Sequence, residues 1–116
     1  MIAIIDYGVG NLFSLKSSFA AIGADVIVTR DAQEIRNADR IILPGVGAFE
    51  DAMNRIRETR LDQALLSAAN TGKPVLGICL GMQMMFEFSE ENGRFEGLGL
   101  FPGTVTRFAD CGLKIP

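Results

Sequence analysis

Short apolar runs alternate with stretches of helical periodicity along most of this 116-residue chain, and that alternation restricts the fold more than any other feature. Met1-Ile2-Ala3-Ile4-Ile5-Asp6 is a near-continuous apolar run, the pattern of a strand buried on both faces of a parallel sheet. After the turn Tyr7-Gly8-Val9-Gly10, Asn11 reads as an N-cap. Leu12, Leu15, Phe19 and Ile22 follow at helical spacing, and Gly23 closes the helix. Val26-Ile27-Val28-Thr29 is β-branched throughout and reads as a second strand. Asp31-Ala32-Gln33-Glu34 has the form of a capping box opening a short helix to about Asn37. Arg40-Ile41-Ile42-Leu43 is a third strand, cut by Pro44.

The rhythm repeats. Phe49, Ala52, Met53 and Ile56 share one helical face. Thr59-Arg60-Leu61-Asp62 reads as another capping box, ahead of the stripe Leu61, Ala64, Leu65 and Ala68, which Gly72 and Pro74 stop. Pro74-Val75-Leu76-Gly77-Ile78 is a fourth strand. A helix is expected from Leu80 to about Phe88, with Met82, Met84 and Met85 filling the core against the sheet. Beyond it, Glu90-Glu91-Asn92-Gly93 reads as a loop and Val105-Thr106-Arg107-Phe108 as a further strand. The alternation predicts one α/β sandwich with a largely parallel sheet.

Composition narrows the function classes. Hydrophobic residues make up 48% of the chain, enough for a compact core. Fourteen acidic against eleven basic residues give a net charge of -3, and the arginines are scattered, unlike the basic stripe of a nucleic-acid binder. No apolar run approaches the ~20 residues of a membrane-spanning helix. The first segment lacks a basic region and a cleavage site, so it is not read as a signal peptide. Two cysteines, Cys79 and Cys111, make no disulfide framework. The expectation is a soluble cytoplasmic protein with no nucleic-acid or membrane partner, no cofactor and no metal.

In open α/β sheets, ligands bind outside the carboxyl ends of the strands. Three glycine-bearing loops leave strands at that rim: Tyr7 to Asn11, Pro44 to Ala48, and Gly77 to Gly81. In the first, a dinucleotide fingerprint would need a glycine where Phe13 stands, so a tight turn is the better reading. Asp6 beside it is given a hydrogen-bonding role, not a catalytic one. In the second, Gly45 and Gly47 leave backbone N–H groups free and let a substrate approach the main chain; an ordinary turn is the alternative. The third is the strongest signal. Gly77-Ile78-Cys79-Leu80-Gly81 is the cysteine counterpart of the Gly-x-Ser-x-Gly nucleophile elbow. A sharp strand-to-helix turn pushes the nucleophile out of the rim, and the glycines spare side chains that would collide. The helix N-terminus favours the thiolate, and the N–H of Leu80 points where an oxyanion forms. A buried, inert cysteine is the bland alternative, and Cys111, with no such context, is read as an incidental thiol.

These segments resemble the class I (triad-type) glutamine amidotransferases along nearly the whole chain. The resemblance is carried by Ile5-Asp6-Tyr7-Gly8-Val9-Gly10-Asn11-Leu12, Leu43-Pro44-Gly45-Val46-Gly47-Ala48-Phe49, Pro74 to Gln83, and Phe86-Glu87-Phe88-Ser89-Glu90-Glu91. The Pro-Gly-Val-Gly-Ala-Phe form is most similar to the glutaminase subunits of imidazole glycerol phosphate synthase, in histidine biosynthesis. The resemblance implies a flavodoxin-like three-layer sandwich. It implies that Cys79 attacks the glutamine amide to form a γ-glutamyl thioester, with the N–H groups around Val46 and Gly47 and that of Leu80 as the oxyanion hole. Gln83, Gly45 and Gly47 would bind or line the glutamine site. The ammonia would pass to a barrel-fold cyclase subunit, and Asn11 lies near where the family docks that partner.

The chain contains no histidine, the commonest general base. The family's catalytic histidine and glutamate come from a later segment, and Leu113-Lys114-Ile115-Pro116 resembles the stretch before it. The expectation is therefore the N-terminal part, residues 1–116, of a single amidotransferase domain truncated at its C-terminus. Such a piece would have little activity alone and would leave an exposed sheet edge. Rival readings are a vitamin B6 glutaminase subunit, a cysteine-elbow hydrolase of related fold, and a non-catalytic partner-binding domain.

Overall fold

The computed structural model describes residues 1–109 and 112–114; Cys111 and the pair Ile115-Pro116 lie outside them. Strands β1 (Ile2–Ile5), β2 (Val26–Thr29), β3 (Arg40–Leu43) and β4 (Val75–Gly77) form one parallel sheet in the order β2-β1-β3-β4. Its register pairs Ile2 with Val26 and Arg40, and Ile41 with Val75. The chain moves from β1 to β2 on one side, then to β3 on the other. The strand order therefore reverses between β1 and β3, where open α/β sheets form their ligand crevice.

Helix α1 (Leu12–Ala21) connects β1 to β2, and α2 (Ala32–Asn37) connects β2 to β3. Helices α3 (Phe49–Glu58) and α4 (Leu61–Asn70) lie between β3 and β4. Strand side chains alternate between faces. Ile5, Ile41 and Leu43 point to a core with Ile35 of α2, Phe49, Ala52, Met53 and Ile56 of α3, and Leu61, Ala64, Leu65 and Ala68 of α4, so both predicted stripes are buried. Helix α1 is different. Its predicted stripe contributes no buried residue, and Ile22, at its end, is 77% exposed.

The structure changes several local readings. The helix after Cys79, α5 (Leu80–Met84), stops early, and Phe86–Ser89 is strand β5. It pairs antiparallel with β6 (Phe95–Glu96) and parallel with β7 (Phe101–Val105) in a second sheet. The apolar continuity of Met82 to Phe88 suggests a longer helix, but Phe86-Glu87-Phe88 alternates, and the N–H of Leu98 captures the Met84 carbonyl at 2.7 Å. The expected last strand is displaced: β7 ends at Val105. Of the three methionines, Met84 and Met85 are core, whereas Met82 is 49% exposed.

Neither capping box closes as expected. Asp31 does accept the Gln33 N–H at 2.8 Å, but Glu34 accepts from the Thr29 hydroxyl at 2.7 Å instead of reaching back to Asp31. The Thr59 hydroxyl bonds back to the Arg55 and Ile56 carbonyls, closing α3 rather than opening α4. The break there falls on Arg60, held left-handed at φ 59°.

Candidate active site

The elbow is built by backbone geometry. Beyond β4, the Ile78 N–H still donates to the Leu43 carbonyl at 3.0 Å, so strand pairing runs to the residue before the cysteine. Cys79 then takes φ 55°, ψ -119°, and the Gly81 N–H donates to the Ile78 carbonyl at 2.9 Å. Those angles and that bond match the second residue of a type II′ turn, near +60° and about -120°, where glycine is the usual occupant. A side chain held there costs on the order of 1–3 kcal/mol, and such strain clusters at working sites. The turn throws the thiol outward: Cys79 is exposed, which overturns the reading of a buried, inert cysteine.

The flanking glycines are required by contact. A methyl group added at Gly81 would lie 2.0 Å from the Leu43 carbonyl oxygen, and one at Gly77 2.6 Å from the Met82 Cα. Both distances are far inside van der Waals contact, so only glycine lets α5 close onto the ends of β3 and β4.

The same close approach joins the three rim loops. A methyl group at Gly45 would lie 2.6 Å from the Gly81 nitrogen and 3.0 Å from the Tyr7 hydroxyl. One at Gly10 would lie 3.3 Å from Pro44. Tyr7, buried, donates to the Pro44 carbonyl at 2.6 Å and lies 3.3 Å from the Met84 sulfur. Burial pushes its phenol well above its ordinary value, so it remains a donor. Sequence reading passed over Tyr7 as part of a turn; an aromatic with a polar tip among loop glycines was the available signal.

The remaining candidate residues sit around this junction. Gly45 is buried, whereas Val46 is 56% exposed and Gly47 is exposed with φ 91°. The N–H groups of Val46, Gly47 and Leu80 donate no hydrogen bond among the described residues. Gln83 is half-buried one turn after Cys79, with its N–H 3.3 Å from the Cys79 carbonyl. Asn11 caps α1, its side chain accepting the Ser14 N–H at 3.2 Å. Asp6 accepts from the Gly8 N–H and from Arg30 at 2.9 Å, which holds the first loop. Because α5 is five residues long, the dipole acting on Cys79 is smaller than a longer helix would give.

An exposed cysteine, a strained elbow and adjacent free backbone donors are the parts of a covalent acyl-transfer site. The chain is also similar to known proteins. The chain is 53% identical over its whole length to the imidazole glycerol phosphate synthase subunit HisH of Oceanobacillus iheyensis, covering 57% of that protein. It is 52% identical over 99% of its length to the subunit of the same name from Synechococcus elongatus, covering 53% of it. It spans between 51% and 57% of the length of eight curated relatives that it matches. Among solved structures, a glutamine amidotransferase superposes with TM-score 0.76 at 17% identity, over 92% of this chain and 57% of that one. A peptidase E protein from Listeria monocytogenes superposes with TM-score 0.68 at 14% identity, over 86% of this chain and 62% of that one. At those identities the likeness is one of fold, shared by α/β proteins of more than one activity. The sequence pattern of the glutamine amidotransferase class-I family matches residues 3–106, and the chain belongs to that family.

Proposed function

We infer that this chain carries the nucleophile half of a glutaminase site. Cys79 sulfur attacks the side-chain amide carbon of glutamine, and the oxyanion is held by the N–H groups around Val46 and Gly47 and by that of Leu80. Collapse breaks the C–N bond, releases ammonia and leaves a γ-glutamyl thioester; water then splits the thioester to glutamate and regenerates the thiol. Gly45 and Gly47 line the glutamine site and Gln83 contributes to binding. A base must take the thiol proton and protonate the leaving nitrogen. The chain has no histidine and spans 57% of the length of a HisH relative; on this reading the base belongs to the part of the glutaminase outside residues 1–116.

The 53% identity to a HisH subunit supports reading the ammonia as delivered to a cyclase partner making imidazole glycerol phosphate; a cytoplasmic location is part of the same proposal. The order β2-β1-β3-β4 supports reading the sheet as flavodoxin-like, with a fifth position beside β4. The single observation that carries the proposal is the strained, exposed Cys79 on an elbow whose Leu80–Gly81 backbone packs directly against Gly45. Glutamate release by the glutaminase carrying residues 1–116, measured with and without its cyclase, tests it. Cys79→Ala is expected to lower the rate by about three orders of magnitude or more. Undiminished turnover would sink the assignment, and an inert wild type would favour a binding role.

A further inference from the structure

We propose that Tyr7 is a positioning residue for the oxyanion loop: its buried hydroxyl fixes the Pro44 carbonyl and thereby the orientation of the Gly45-Val46-Gly47 backbone beside Cys79. The proposal rests on the thioester chemistry inferred for Cys79.

The loop has few other anchors. After the Leu43 carbonyl accepts from Ile78, the next backbone bond along the chain is the Ala48 carbonyl accepting from Ala52. Between those two, the Tyr7 hydroxyl makes the one side-chain hydrogen bond to the loop among the described residues. A trans peptide is planar, so holding the Pro44 carbonyl toward Tyr7 turns the Gly45 N–H to the opposite side and sets where the next two N–H groups begin. The hydroxyl has one proton, and the 2.6 Å carbonyl contact takes it; Met84 then packs its sulfur on the oxygen at 3.3 Å. Tyr7 therefore touches both the loop that presents the donors and the helix that starts at the nucleophile. At Gly45, the space a side chain would need is taken by the Tyr7 oxygen and the Gly81 amide. Removing the hydroxyl leaves a buried carbonyl unpaired and frees the loop to rotate, while Cys79, held by its own turn, keeps its place.

That asymmetry gives a test on the glutaminase that carries residues 1–116. Cys79 is labelled with iodoacetamide, which needs only the thiolate. It is labelled in parallel with a glutamine analogue whose amide is replaced by a chloromethyl ketone, whose carbonyl needs the oxyanion donors; chloride leaves and a thioether forms. In wild type the analogue is expected to react at least tenfold faster than it does with free cysteine, after normalising to iodoacetamide. Absence of that preference overturns the glutaminase site and, with it, this proposal. In Tyr7→Phe the iodoacetamide rate should stay within about twofold while the analogue's advantage falls at least tenfold. A preserved advantage in Tyr7→Phe overturns the Tyr7 role and leaves the glutaminase site standing; a general loss of stability would move both reagents together. If Tyr7→Phe does not fold, the Pro44 carbonyl carbon of wild type decides. A hydrogen-bonded chemical shift held from pH 5 to 9 supports the anchor, and a shift typical of a free carbonyl overturns it.

Discussion

The two faces of the parallel sheet are built from strands of equal apolarity but are covered very differently. Toward α2, α3 and α4, Ile5, Ile41 and Leu43 meet a continuous core in which Ile35, Ile56 and Leu65 have no exposed surface. On the opposite face, Ile4 and Ile42 are buried, yet α1 contributes no buried side chain and Leu76 of β4 is 52% exposed. Leu12, Leu15 and Phe19 are half-buried, while Phe13 is 82% exposed. Periodicity in a sequence says which residues are apolar, and coverage depends on what else packs there. Stability should therefore be concentrated on one face, and function at the rim that joins that face to the elbow.

Truncating one side chain on each face gives the largest expected effect. Ile56→Ala should cost about 2–5 kcal/mol, because it opens a cavity in a packed interior. Phe19→Ala, on the thinly covered face, should cost less, about 1–2 kcal/mol, since part of the half-buried ring stays in water. Urea midpoints of the two variants measure the contrast. Equal losses would mean that α1 is packed as tightly as α3 and α4.

The same contrast holds at the scale of one methyl group. Gly81→Ala should cost about 1–3 kcal/mol, because its Cβ is driven into the Leu43 carbonyl and the Pro44 backbone. Gly23→Ala, at the end of α1, meets nothing within 4 Å and should cost only its φ of 80°, about 1 kcal/mol. The two also differ at the site. Gly81→Ala displaces the elbow and should change the alkylation rate of Cys79, whereas Gly23→Ala should leave it alone. A Gly81→Ala variant with wild-type stability and reactivity would show that β3 and α5 need not touch.

Much of this was legible in the sequence because local chemistry and tertiary placement agree there. The four parallel strands, the stripes of α3 and α4, and the caps at Asn11 and Asp31 needed no long-range information. The cysteine elbow was legible because a II′ turn between strand and helix admits few residue combinations. Three features were hidden by competing local signals. The Thr59 pattern fits either a helix start or a back-bonded helix end, and the left-handed Arg60 selects the second. The Phe86-Glu87-Phe88 alternation was masked by the methionines before it. Tyr7 matters only because β3 brings Pro44 beside it, a pairing thirty-seven residues away in sequence. The Leu80 N–H was legible in the elbow itself, whereas the binding role of Gln83 came from family resemblance; the structure puts Gln83 one turn after Cys79 and Gly45 against the Leu80–Gly81 backbone.

The smallest predicted effect sets the floor against which the thin face is judged. At the rim opposite the elbow, the N-terminal ammonium donates to Asp39 at 2.5 Å, and the Asp39 N–H returns a bond to the Met1 carbonyl at 2.9 Å. The ammonium's hydrogen bond and charge hold the Asp39 carboxyl below its ordinary value, although the carboxylate is solvent-exposed. A carboxyl depressed in the folded state contributes stability above its unfolded pKa and loses it as pH falls through the folded value. The contribution should be complete at neutral pH and fade on acidification below about pH 4. Exposure and salt should keep it small, as for other surface pairs. Asp39→Asn is expected to lower stability slightly at pH 7, to matter progressively less as the pH falls below about 4, and to lose its difference from wild type in 1 M salt. Urea midpoints across that pH range measure it. If Asp39→Asn proved as costly as Phe19→Ala at pH 7, burial would not rank positions on the α1 side, and exposed charge would outweigh its half-covered apolar stripe.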